Sequence, residues 1–318
     1  MAPLDALTVR ELLRLFDCAP VLVDVGASGE SPPVWRPIAA ASTYVGFDPD
    51  RRELSDGPSG GYRRSLIVNE AVTGDPDAAD VRFYLTRSPA CSSTLPPDRE
   101  ALSNYHYAGL FEVEREVAAR ASTLEALVAR LGLARIDWLK CDTQGTDLRI
   151  YRSLGERRRG ELLALDVEPG LIDAYRGEDL FADTHQHLAR HGFWLSRLQV
   201  HGAVRVRAES LRAAFPEAGD RAAAAERSIR RSPGWCEARY LRTLESLDGA
   251  ARERHAMLFV FALLDAQPGF ALDVALDYER RFGADAWSAR MRAEALAAVA
   301  RGRGLAARAK DWLRRRLG

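Results

Sequence analysis

VLVDVGASG, residues 21 to 29, is a nearly continuous apolar run that ends in a glycine-rich turn. A strand buried on both faces of a parallel sheet reads this way, because neither side can carry an alternating polar set. Similar runs follow at TYVGFD (43–48), SLIVNEAV (65–72), IDWLKCD (136–142) and LLALDVEP (162–169). Helical patterns lie between several of them, notably 123–132 and 179–191. That alternation predicts a Rossmann-like α/β fold with a doubly wound, mostly parallel sheet. FWLSRLQV (193–200) and AVRVR (203–207) flank a His-Gly turn and predict an antiparallel hairpin at one edge.

Further features are read outward from that core. Thr8 and Glu11 have capping-box spacing, and Val9, Leu12, Leu13 and Phe16 form an apolar stripe, which predicts a helix over 8–17. A long insertion follows SLIVNEAV, with strand-like VRFYLT (81–86) and FEVEREVA (111–118) around a polar loop, 87–110, of the kind that serves as a lid or binding element. Beyond about Glu209, Ala, Arg, Leu and Glu dominate, and helices are expected near 221–231, 234–248, 254–266, 270–281, 285–302 and 304–317. SPG (232–234), QPG (267–269) and FGAD (282–285) supply breaks between several of them. Two domains are therefore expected, 1–208 and an all-α unit over 209–318, as suits 318 residues.

Composition excludes several classes. With 45 basic and 45 acidic side chains, the chain lacks the footprint of a nucleic-acid binder. Its basic set is almost wholly arginine, Lys140 and Lys310 being the exceptions. Cys18, Cys91, Cys141 and Cys236 are scattered without CxxC pairing, against a zinc site or disulfide framework. The longest apolar run, 256–264, is too short to span a bilayer, and no signal peptide's apolar core opens the chain, so a cytoplasmic protein is expected.

Within VDVGASG, Asp24 sits near the strand tip, and Gly26, Ala27 and Gly29 form the turn, where glycine lets the backbone approach a ligand closely. Asp48 closes the next strand at the distance where an acidic residue accepts hydrogen bonds from ribose hydroxyls. Together they point to an adenosine-containing cofactor. The dinucleotide pattern demands glycine where Asp24 stands. A carboxylate there repels a pyrophosphate and attracts a sulfonium or ammonium, which favours S-adenosylmethionine.

The chain resembles the FkbM-type methyltransferases, which are S-adenosylmethionine-dependent O-methyltransferases of Rossmann-like fold. The matching stretches are VDVGASG, YVGFDPD, VNEAVTG, residues 122–154 and LDVEPGLIDAYRGEDLF (165–181), so the likeness covers roughly 20–200. The segment from STLEAL to KCDTQGTDL is the most specific, with its Asp-x-x-Gly-x-Asp turn in order and spacing. The resemblance implies that Asp24, Gly26 and Gly29 line the methionine part of the cofactor and that Asp48 holds its ribose, with Asn69 and Glu70 as adenine-side candidates. The chain departs from the family in having Asp48 where glutamate is common, and its C-terminal helices lie outside the shared region.

Methyl transfer to a hydroxyl needs alignment and a base. In open α/β sheets the site forms beyond the carboxyl ends of the strands, which singles out Asp142 and Glu168, acting directly or through a divalent metal. Asp142 also reads as a cap of the Thr-Gln-Gly turn and the next helix, and Lys140 as a snorkelling or ion-paired residue rather than a catalyst. The insertion offers CSST (91–94) and Tyr105, His106 and Tyr107 to close over the acceptor, with His106 a further candidate base. No Gly-x-Ser-x-Gly elbow is present. His185, His187 and His191 lack an acidic ligand in register for zinc. The expected acceptor is a hydroxyl of a glycan, polyketide or other secondary metabolite. A protein partner, or anionic lipid, is conceivable at the C-terminal helices, through the basic face of Arg308, Lys310, Arg314, Arg315 and Arg316. The competing classes are an NAD(P)-dependent oxidoreductase and a non-catalytic scaffold retaining the fold.

Overall fold

The computed structural model describes residues 6–28, 30–50, 61–215 and 227–317, with the backbone alone for residue 6 and for 302–317. Gly29, most of the expected helix near 221–231, and the side chains of the basic C-terminal face lie outside the described residues.

Ten strands are present among the described residues: β1 (Val21–Val25), β2 (Thr43–Phe47), β3 (Arg64–Val68), β4 (Ala71–Thr73), β5 (Asp80–Thr86), β6 (Val113–Thr123), β7 (Trp138–Cys141), β8 (Ala164–Val167), β9 (Phe193–Ala203) and β10 (Ser232–Arg242). Seven form the main sheet in the order β3-β2-β1-β7-β8-β10-β9. The pairs from β3 through β8 are parallel, and β10 runs antiparallel to both β8 and β9. The chain winds outward from β1 to β3 and then returns to the far side of β1 as β7. Strand order therefore reverses between β1 and β7, and the crevice beyond their carboxyl ends is the topological switch point where open α/β sheets bind ligands.

The antiparallel edge differs in its parts from the expected hairpin. Residues 193–203 form one strand that runs through the His-Gly pair, and its partner is β10, not 203–207. The segment 234–248, expected as a helix, supplies most of that partner. The physical reason is a period of two: Cys236, Ala238 and Tyr240 are buried, while Trp235 and Glu237 face outward. An Ala/Arg/Glu-rich composition hides that alternation. Residues on both sides of 208/209 thus contribute to one sheet. β10 wedges between what would be the fifth and sixth strands of a dinucleotide-binding 3-2-1-4-5-6 sheet.

SLIVNEAV also divides. Its first part is β3, while Ala71–Thr73 leaves to form a second sheet, β4-β6-β5, with the insertion strands.

The pleat of the sheet sorts the core into two faces. Leu22, Tyr44 and Trp138 join Val9, Phe16, Phe259 and Phe261 on one side. Val23, Val25, Val45 and Leu139 join Leu124, Leu127, Ile150 and Leu188 on the other. Helix Ala6–Leu15 lies on the first face, as its apolar stripe predicts. So does helix Arg252–Leu264, whose residues from His255 to Leu263 are all buried, because it is packed by the sheet on one side and by helices Pro268–Phe282 and Ala286–Leu317 on the other. The two expected terminal helices, 285–302 and 304–317, are one continuous helix. Among the described residues, no helix is long and apolar enough to cross a membrane.

Arg239 fastens β10 in place. It donates to both oxygens of Asp166, directly opposite on β8, at 2.6 and 3.0 Å, and to Asp265 at the end of helix Arg252–Leu264 at 2.9 Å. Removing one partner of a buried ion pair strands the others in low dielectric. Arg239→Met is therefore expected to lose about 3–5 kcal/mol of stability, read as a lowered midpoint in urea denaturation.

Candidate active site

The glycine turn after β1 is threaded between its neighbours. Gly26 and Ala27 donate their amides to the Phe47 carbonyl of β2 at 2.9 and 3.1 Å, and the Asp142 amide beyond β7 donates to Val25 at 2.9 Å. Gly26 has φ +81°, and a Cβ there would lie 1.9 Å from the Asp142 carbonyl oxygen. Glycine is thus required twice over, by conformation and by contact. Ala27 is buried behind the turn.

Above this turn opens a crevice. Gly26 and Ser28 form one wall, Phe47 and Val72 give it apolar surface, and Asp48, Asp50 and Asp142 give it charge. No lysine or arginine lines it among the described residues. Asp48 accepts the Asp50 amide at 2.7 Å, and the Asn69 side chain donates to the Asp48 carbonyl at 2.8 Å. Asn69 therefore braces Asp48 and is not itself among the lining residues. Glu70 is turned away. It is ion-paired with Arg130 and accepts from the Ser122 hydroxyl, and the Arg130 guanidinium holds its carboxyl below the usual range.

Asp24 also lies outside the crevice, at 2% exposure. The reason is the pleat: Asp24 sits in register with Lys140 and points to the same face as Leu22. It accepts from the Tyr44 hydroxyl at 3.1 Å and from Lys140 Nζ at 3.2 Å. Lys140 is ion-paired, as the sequence suggests, and lies 3.5 Å from Asp142 as well. Burial works against its ammonium, but Asp24, Asp142 and Glu168 outweigh it and hold Lys140 charged. Burial pushes the Asp24 carboxyl up, and Lys140 and Tyr44 oppose that, so we assign the pair as ionic.

Asp142 does not cap the Thr-Gln-Gly turn. Asp147 does, accepting from the Thr143 amide and hydroxyl at 3.0 and 2.6 Å and from the Glu168 amide at 2.7 Å, so it staples the ends of β7 and β8 together. Burial raises its carboxyl to about 6. Asp142 is instead held by Gln144, whose side-chain amide donates to it at 2.9 Å. Gln144 accepts from the Tyr175 hydroxyl at 3.2 Å, and its carbonyl accepts from Ser93 at 2.7 Å. Its φ of +55° is uncommon for a non-glycine residue and marks local strain beside the site.

A second, larger cavity adjoins the first and shares Ala90, Asp142 and Gln144 with it. Glu168 and Glu178 lie on its wall, as do His106, Tyr107, Phe111, Tyr175 and Trp235. Burial first, then repulsion from Asp142 against the pull of Lys140, raises Glu168 to about 8. Burial raises Glu178 to about 7. The insertion builds walls on both sides, Cys91 facing the second cavity, Ser92 and Thr94 the first. Tyr105 is buried behind Tyr107.

Asp48, Gly26, Asp142, Glu168 and His106 are therefore gathered around two adjoining cavities, whereas Asp24, Asn69 and Glu70 stand behind the walls. Gln144, Tyr175, Glu178 and Trp235 were not singled out from sequence. Gln144 had one signal, its place before Gly145 in a turn, which invites a left-handed backbone. Trp235 had none, because its segment read as helix. Among the described residues, no group of three or more His, Cys, Asp or Glu side chains is placed to hold a metal ion.

No family model and no curated protein matches this chain. Among solved structures, one described as an antibiotic-related methyltransferase is similar at 12% identity with a TM-score of 0.25, over 76% of this chain and 96% of that one. A likeness so distant leaves the functional reading to the site itself.

Gly26→Ala forces a methyl group against a backbone carbonyl in a left-handed conformation. It is expected to cost at least about 2 kcal/mol, measured as a shift in the urea midpoint, whereas Gly132→Ala, at a positive φ with open space around it, should cost less.

Proposed function

We infer that the chain is an S-adenosylmethionine-dependent methyltransferase of the FkbM type, acting on a hydroxyl of a glycan, polyketide or other secondary metabolite. One observation carries the reading: Asp142 is a wall of both the acid-lined crevice and the aromatic cavity. A cofactor in the first and an acceptor in the second would meet beside it.

The donor set of the crevice fits this cofactor. Asp48 can accept from both ribose hydroxyls, Phe47 and Val72 suit an adenine, and Gly26 with Asp142 borders the methionine side. Bound there, the cofactor would supply an electrophilic methyl group on a sulfonium. The carboxylates of Asp48, Asp50 and Asp142 on the crevice wall suit that cation better than a pyrophosphate, since like charges at about 4 Å repel by roughly 1 kcal/mol even in water. The same argument speaks against the NAD(P) oxidoreductase, as does the antiparallel strand wedged into the sheet. The preference for a cation rests on Asp48, Asp50 and Asp142, with Asp24 neutralised by Lys140.

Glu168 is our choice of general base. It lines the acceptor cavity, and a group that exchanges protons near neutral pH suits the task better than a firmly ionised one. Asp142, held by Gln144 and beside Lys140, stands between the cavities. Localisation in the cytoplasm stays part of this proposal.

Two measurements test it. By calorimetry the protein should bind S-adenosylhomocysteine, and Asp48→Ala should weaken that binding at least tenfold, about the value of one charge-assisted hydrogen bond. Unchanged affinity would discredit the ribose assignment, and no binding would favour a scaffold. Transfer of labelled methyl groups into glycan and small-molecule fractions should then depend on pH. The active form of Glu168 is the carboxylate and its carboxyl lies at about 8, so the rate should climb with pH and level off above that value. Glu168→Gln should abolish the climb along with most of the activity.

A further inference from the structure

The second cavity is unbalanced in charge. Asp142, Glu168 and Glu178 line it, against Arg231 and His106 as the basic groups on the wall. Asp142 has Lys140 behind it. Among the described residues, neither Glu168 nor Glu178 makes an ion pair with a cation. Glu178 is fixed in position nonetheless. One oxygen accepts the Tyr175 amide at 2.7 Å, and the other lies so close over Gly170 that a Cβ there would be 1.8 Å away. Gly170 thus makes room for this carboxylate beside the cavity.

The walls carry a second and independent feature. Tyr107, Phe111 and Tyr175 form a connected run of rings, with centroids 5.5 Å apart at each step. Across β9 and β10, Trp235 stacks on His201 at 5.2 Å and stays 40% exposed. Such faces bind the apolar side of a sugar ring or an alkylammonium group. A neutral ligand filling this cavity would strip water from the Glu178 carboxylate and return no charge, which is costly. A cationic ligand would supply the missing counter-charge to carboxylates and rings alike.

Resting on the methyltransferase reading above, we propose that the acceptor is an amino sugar, or a ring of similar shape, whose protonated amine is held by Glu178 while its hydroxyl is presented to Glu168. The two carboxylates then have separate tasks, one recognising charge and the other taking a proton. Burial, which raises Glu178 to about 7, agrees with a group that lacks its counter-charge until the ligand brings one.

The test compares methyl β-glucosaminide, its N-acetyl derivative and methyl β-glucoside by ligand-observed NMR titration, with and without S-adenosylhomocysteine. The amine should bind at least about tenfold more tightly than either of the others, the value of one charge-assisted hydrogen bond. Glu178→Gln should erase that preference, and Trp235→Leu should weaken all three glycosides together. Equal or tighter binding of the acetylated or neutral glycoside overturns the proposal, and so does a failure of the amine to bind. The comparison in wild-type protein stands even where a variant fails to fold. A lack of S-adenosylhomocysteine binding would count against the methyltransferase reading, while the amine comparison without it would remain readable.

Discussion

The site depends on one buried ion pair, Asp24 with Lys140, placed in register across β1 and β7 where the strand order reverses. Two ions taken out of water cost several kcal/mol each unless they are paired and hydrogen-bonded. Here the cost is offset on several sides, by the Tyr44 hydroxyl on Asp24 and by Asp142 beside Lys140. The consequence reaches the surface of the sheet. One buried ammonium stands beside both Asp24 and Asp142, while burial first and then repulsion from Asp142 push Glu168 up against the pull of that same lysine. A carboxylate at a strand end is thereby brought into the neutral range by its burial and its neighbours.

What could be read from sequence follows from which signals are local. The five parallel strands were legible because each is a short apolar run ending in a turn, and Gly26, Asp48, Asp142 and Glu168 were legible as the residues at those ends. Asp24 was legible as important, but its burial on the sheet's flank against Lys140 was not. A residue at a strand tip can face the turn or the sheet's flank, and only the register with Lys140 decides between them. Asn69 and Glu70 follow the same pattern, since their partners, the Asp48 backbone and Arg130, are remote in sequence. Gln144 escaped because its role is a hydrogen bond to a side chain two residues away, in a turn where its neighbours carry the motif.

The failure at 234–248 has a different origin. Composition pointed to a helix, and helix propensity over Ala, Arg, Leu and Glu is high. The strand wins because its alternate residues Cys236, Ala238 and Tyr240 are buried and because Arg239 finds Asp166 across the pairing. Tertiary burial overrides local preference here, as it does wherever a strand is added between others already in place.

That override has a functional meaning. The start of β10 is tied to the loop after β8, since Leu171 donates to the Gly234 carbonyl and Cys236 to that of Pro169. These contacts hold Trp235 beside Gly170, and so beside Glu178, on the wall of the aromatic cavity. At the other side of the strand, Arg239 reaches Asp265 at the end of the buried helix Arg252–Leu264. The helices that composition suggested were an appendage therefore bear on the strand that carries part of the cavity wall. Their physical contribution is to fix β10, since a strand paired antiparallel between two neighbours and clamped by a buried guanidinium cannot slip by one residue without turning Trp235 to the opposite face.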